Sequence, residues 1–129
     1  MTVVARTMEA GGCRIHFAEA GTGMPVVLVH GSLSDQRYWA PQMEALSARF
    51  RAIAPSLRHH HPDASPAAGM AGYGVRQHCA DLVAFLQALA AGPAHLVGHS
   101  RGAHVCLLAA LQRPELVESL VLADPAVPL

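Results

Sequence analysis

The chain has 129 residues, enough for one domain with a sizeable core. Nine Lys and Arg balance nine Asp and Glu, so no basic surplus points to nucleic acid, and no apolar run approaches the roughly 20 residues of a membrane span. Hydrophobic residues make up 52% and charged residues 14%, a balance that suits strands buried on both faces.

Met1 to Arg6 lacks the charged region and long apolar stretch of a secretory signal. Residues 2–9 and 13–19 are expected as two strands joined at Gly11-Gly12, a hairpin signal. In the second, Cys13, Ile15 and Phe17 alternate with Arg14, His16 and Ala18, giving one buried and one wet face. Gly21 to Pro25 reads as a turn, and Val26–Val29 as a continuous apolar strand at the sheet centre. Trp39, Met43, Leu46 and Phe50 recur at helical spacing, with Pro41 tolerated in the first turn. Ala52–Ala54 is a short strand. Pro55 to Gly74 has no clear period and is expected as a long loop, with His59, His60 and His61 solvated rather than binding metal.

Val75, Cys79, Leu82, Leu86 and Leu89 step by four, three, four and three, an amphipathic helix closed at Gly92-Pro93, with His78 on its wet flank. Ala94–Val97 is a further strand. Gly102 to Arg113 is a helix, apolar nearly all round from Ala103 to Leu111 and so expected to be buried on most sides. Pro114 stops it, and Leu120–Ala123 is the last strand, ending at Asp124. Strands alternating with helices imply an α/β fold: a mostly parallel sheet with an N-terminal antiparallel hairpin and flanking helices. Residues 1–129 read as part of a single domain, with no repeat and no linker. Cys13, Cys79 and Cys106 are odd in number and lie in patterned positions, as expected of reduced, buried thiols in a cytoplasmic protein.

Gly98-His99-Ser100-Arg101-Gly102 falls between the apolar strand at 94–97 and the helix that follows. A serine on such a strand-to-helix turn is the nucleophile elbow of acyl-transfer enzymes. The glycines allow the turn, since a side chain on either flank would collide with it. The helix that starts there aims N–H groups and partial positive charge at the serine. A second apolar strand, Val26–Val29, ends in His30-Gly31-Ser32-Leu33. With both motifs in this order and spacing, the chain from residue 2 onward resembles the N-terminal portion of the α/β-hydrolase fold family. Ser34 to Trp39 leads into a helix as that family does.

The resemblance implies a serine hydrolase acting on a small ester, lactone, thioester or activated C–C bond through an acyl-enzyme, with no cofactor and no metal. Ser100 is the expected nucleophile. The backbone N–H groups of Arg101 and of Ser32 or Leu33 are the expected oxyanion hole, and His30 and Gly31 orient the loop, with His30 structural rather than a base. Serine at the elbow argues against relatives that attack haloalkanes or epoxides, which use aspartate there. Pro55 to His59 departs from the family, whose members carry Asp and a Gly-rich turn after the fourth strand.

The triad of this fold runs Ser, then Asp or Glu, then His along the chain. Asp124, at the C-terminal end of a strand, is the best acid after Ser100; the competing reading is a turn cap. His104, the one histidine after Ser100, is expected to point into packing. His99 is expected on the face opposite Ser100. No base is identified, so this fragment is expected to be inactive. Acyl transfer on the same scaffold and a non-catalytic ligand-binding fragment are the alternatives. The expected partner is a small-molecule substrate, with no nucleic acid and no membrane. Leu120, Val121 and Leu122 are expected on a bare sheet edge, open to self-association. Arg101 has two readings, a clamp for a substrate carboxylate or a structural ion pair.

Overall fold

The computed structural model describes residues 1–63 and 74–125. Six strands form one sheet: β1 (Val4–Ala10), β2 (Cys13–Ala20), β3 (Pro25–Val29), β4 (Arg51–Pro55), β5 (Ala94–His99) and β6 (Val117–Ala123). Their order is β1-β2-β4-β3-β5-β6. β1 pairs antiparallel with β2, and β2 with β4; the β4-β3-β5-β6 ladders are parallel. This is the mixed sheet that the strand–helix alternation implies. Gly11 and Gly12 both have positive φ, 60° and 77°, as the tight hairpin between β1 and β2 demands.

β3 lies at the centre and every residue in it is buried, which accounts for its unbroken apolar run. Helix α1 (Ala40–Leu46), preceded by a short 3-10 turn (Gln36–Trp39), covers one face. Trp39 and Met43 meet Val26, Leu28, Ala52 and Ala54 there. Helices α2 (Val75–Leu89) and α3 (Arg101–Gln112) cover the other face, over Val27, Val29, Ile53 and Leu96. The chain leaves β3 for β4 on one side, then crosses to β5 on the other. This reversal opens a crevice at the carboxyl ends of β3 and β5, where ligands bind in open α/β sheets.

Three expectations need correction. α3 buries one face only: Gly102, Ala103, Val105, Cys106 and Ala109 are covered, while Leu111 is 70% exposed. α2 ends at Ala90, in the left-handed region at φ 51°, before the Gly92-Pro93 pair is reached. The segment after β4 is no solvated loop where it is described, because Ser56, Leu57 and His60 are buried. The rest of the expected loop, residues 64–73, lies outside the described residues. β6 is the edge strand, with Val121 53% exposed and Leu120 half-buried. Cys79 and Cys106 are fully buried and Cys13 is half-buried. Among the described residues no helix is long and apolar enough to cross a membrane.

Candidate active site

Ser100 joins β5 to α3 at φ 53° and ψ −114°, a backbone conformation that a non-glycine residue holds only when its surroundings impose it. Close approach of the flanking glycines imposes it. A Cβ on Gly98 would lie 2.5 Å from the Gly102 oxygen, and one on Gly102 would strike the carbonyls of Val29 and His30. The elbow is thereby pressed against the end of β3. The Ser100 N–H donates to the Ala123 carbonyl of β6 at 3.0 Å, which ties the turn to the neighbouring strand. The first residues of α3 leave N–H groups at the helix start, beside the serine.

The loop after β3 faces the elbow. A Cβ on Gly31 would lie 3.3 Å from the Ser100 Cβ. His30 is fully buried and both its ring nitrogens are committed. Nδ1–H donates to the Gly31 carbonyl at 2.8 Å, and Nε2 accepts from the Leu57 N–H at 2.9 Å. The Gly31 carbonyl also accepts from the Ser34 hydroxyl at 3.2 Å, and the Gly31 N–H donates to that hydroxyl at 3.1 Å. In a trans peptide the carbonyl and the following N–H point in opposite directions. Anchoring the Gly31 carbonyl on the buried imidazole therefore turns the Ser32 N–H away from the core. The backbone N–H groups of Ser32 and Leu33 make no hydrogen bond among the described residues. His30 thus ties the Gly31 carbonyl to the Leu57 N–H and does not hydrogen-bond Ser100.

Two further histidines complete a buried series. The rings of His30 and His60 lie 4.7 Å apart, and those of His60 and His78 6.1 Å apart. His60 Nδ1–H donates to the Ser34 carbonyl at 2.8 Å. His78 Nε2–H donates to the Arg58 carbonyl at 3.1 Å, and its Nδ1 accepts from Arg101 Nε at 3.2 Å. The surface position expected for His78 and the solvated one expected for His60 are both overturned. Periodicity held the signal for His78: it stands four residues before Leu82 and seven before Phe85, on the buried stripe of α2. Burial pushes the His30 and His78 pKa values down to about 4, opposed by their hydrogen bonds to backbone carbonyls. Burial also lowers that of His60. All three imidazoles are neutral structural parts. Arg58 extends the network, making paired 3.0 Å bonds to the buried Asp81 carboxylate of α2, which also accepts from Gln77.

An open depression of about 400 Å³ is lined by Gly31, Ser32, Leu33, Ser34, Tyr38, His99 and Ser100. His99 was expected on the face opposite Ser100. It shares the depression because Ser100 has already left the strand geometry. Arg101 does not line it; its Nε is turned to His78, which favours the structural reading of that side chain. His104 lines a separate cleft with Val75, Arg76 and Leu108 rather than pointing into packing. Asp124 directly follows β6 at φ 49° and is exposed, beyond the Ala123 carbonyl that holds Ser100. Its carboxylate meets no histidine among the described residues, and the Ser100 hydroxyl has no hydrogen-bond partner there. Ser100, Ser32 and Leu33 are therefore brought together at one depression, Arg101 follows directly in the chain, and Asp124 stands apart.

Residues 24–129 match the alpha/beta hydrolase fold family. Over 121 residues the chain is 34% identical to the 2-(acetamidomethylene)succinate hydrolase of Mesorhizobium japonicum, spanning 94% of this chain and 42% of that enzyme. Over 109 residues it is 38% identical to an epoxide hydrolase of Caballeronia sordidicola, spanning 84% and 33%. Among solved structures, an epoxide hydrolase from Vigna radiata superposes with a TM-score of 0.90 at 34% identity, covering 98% of this chain and 41% of that one. The chain spans less than half the length of these relatives. With its elbow, its His30-Gly31 loop and its sheet order in place, the chain belongs to the α/β-hydrolase fold family.

Proposed function

We propose that the chain carries the nucleophile and oxyanion hole of a serine hydrolase that works through an acyl-enzyme. The single observation that carries this is Ser100, held at φ 53° on a turn enforced by Gly98 and Gly102, facing a depression shared with the loop after β3. Ser100 Oγ attacks the carbonyl carbon of an ester, lactone or thioester, and its proton passes to a base. The oxyanion is received by the N–H groups of Arg101 and Ser32, with Leu33 adjacent; losing one such donor costs about 3–4 kcal/mol of transition-state stabilisation. The leaving group departs with a proton, and water then releases the acid. Asp124 is the acid proposed to orient the base.

The named relatives include epoxide hydrolases as well as a succinate-derivative hydrolase. Chemistry separates the two at the elbow. A carboxylate that opens an epoxide forms an ester, which water can cleave at its carbonyl. A serine that opened one would form an ether, which has no carbonyl to attack. Ser100 therefore supports acyl chemistry. The unpartnered Ser100 hydroxyl among the described residues favours one second reading, a ligand-binding fragment that does not turn over.

A base supplied from outside tests both. The 129-residue protein, given p-nitrophenyl acetate with and without imidazole, is digested and its peptides are weighed. The expected result is slow turnover without imidazole and imidazole-dependent acetylation of Ser100, absent in Ser100→Ala. Fast turnover without imidazole that survives Ser100→Ala overturns the reading. Absence of any Ser100 acetylation favours the binding fragment.

A further inference from the structure

The wall of the Ser100 depression that acylation does not use is aromatic. Tyr38 and His99 both line it, and their rings stack with centroids 4.9 Å apart and planes inclined by 14°. Tyr38 is braced from below, where it meets Trp39 edge-on at 5.0 Å and 89°. Trp39 in turn is buried in the core beneath β3 and β4. Tyr38 nevertheless stays 45% exposed. Gly31 also approaches His99, since a Cβ there would lie 3.3 Å from Nδ1. That Nδ1 is buried, and neither ring nitrogen of His99 makes a hydrogen bond among the described residues. Among the described residues the imidazole is held by stacking and contact. An unpaired buried nitrogen is unfavourable, so hydrogen bonding does not explain the ring's place.

The rest of the lining is as informative. Ser32, Ser34 and Ser100 supply short hydroxyls, and Leu33 stands fully exposed at the rim. Apart from the His99 imidazole, no ionisable side chain other than the Tyr38 phenol lines the depression among the described residues. The two cations that adjoin lining residues in the chain are both engaged, Arg101 with His78 and Arg37 with the Asp35 carboxylate.

We propose that Tyr38 and His99 are the specificity-determining wall of this site, and that the acyl group they take is flat, conjugated and uncharged: an aroyl or enoyl group without a carboxylate. A planar π-system can lie on a ring face at contact distance, whereas a puckered saturated ring of the same size cannot, and it lacks the complementary quadrupole. The inference rests on Ser100 being the acylated atom, but its test reads binding and needs no turnover. A failure of Ser100 acetylation and a failure of ring preference are therefore separate results.

The 129-residue protein is titrated with benzamide, cyclohexanecarboxamide and benzoate, and the shifts of the Ser32, Leu33 and His99 backbone amides are followed by NMR. Benzamide is expected to bind about threefold to tenfold tighter than its saturated analogue, the range that one aromatic pair supplies. Benzoate is expected to bind more weakly than benzamide. Tyr38→Phe should keep the preference, and Tyr38→Ala and Tyr38→Leu should abolish it; the leucine variant fills the space should the alanine variant not fold. Ser100→Ala should leave it unchanged. Equal affinity for the two amides, tighter binding of benzoate, a preference that survives Tyr38→Leu, or no binding of benzamide would each overturn the proposal.

Discussion

Acid should unfold this protein through His30 before it reaches the carboxylates. The ring is fully buried, with Nδ1–H on the Gly31 carbonyl and Nε2 receiving the Leu57 N–H. A second proton would set Nε2–H against the Leu57 N–H, donor against donor. The folded pKa accordingly lies at about 4, against 6.5 for an ordinary histidine. The folded state favours the neutral ring, so its contribution is fully present above pH 6.5. It is lost as pH falls from 6.5 to 4, where the unfolded chain binds the extra proton. At 1.36 kcal/mol per pH unit, this window costs about 3 kcal/mol from His30 alone. His78 acts in the same direction and window. Asp35, held down to about 2 by its bonds from Arg37, loses its contribution only below pH 4.

The assay is urea unfolding at steps from pH 7.5 to 4.5. Trp39, the only tryptophan and 4% exposed, is the fluorescent probe. His30→Gln keeps an acceptor near Nε2 but has no titration in this range. It should start less stable than the parent at pH 7.5 and lose about 3 kcal/mol less across the window. A parent stability that stays flat from pH 7.5 to 4.5, or equal slopes in the two proteins, would refute the reasoning.

Gly102→Ala should cost at least about 2 kcal/mol in chemical denaturation, because its methyl meets backbone carbonyls of Val29 and His30 that cannot move aside. Arg58→Ala should cost roughly 3–5 kcal/mol by leaving Asp81 buried without its cation. The double change Arg58→Met with Asp81→Leu should recover much of that loss, read by the same denaturation curve. Self-association through the β6 edge is expected at high concentration. Val121→Lys, at an exposed edge position, should shift the protein toward monomer in light scattering, and an unchanged mass would count against the edge as the contact.

The elements legible along the chain were those whose cause is local. The unbroken Val26–Val29 run marks a strand buried on both faces, and Gly98-His99-Ser100-Arg101-Gly102 marks the turn from β5 into α3, because backbone sterics act between neighbours. The supporting role of His30-Gly31 was implied only by the family resemblance, since one of the ring's two partners, the Leu57 N–H, lies 27 residues along the chain. The burial of His60 and His78 was not, because it depends on three segments meeting: the loop after β3, the chain after β4, and α2. The four-residue step from His78 to Leu82 put it on the buried stripe, yet no local rule says that its two nitrogens will find the Arg58 carbonyl and the Arg101 guanidinium. Tyr38 against His99 is the same kind of fact. Sixty residues separate them along the chain, and only the adjacency of β3 and β5 places the 3-10 turn beside the elbow. Local sequence sets which backbone turns are possible; which side chains share a cavity is decided by the strand order, since that order alone determines which loops become neighbours.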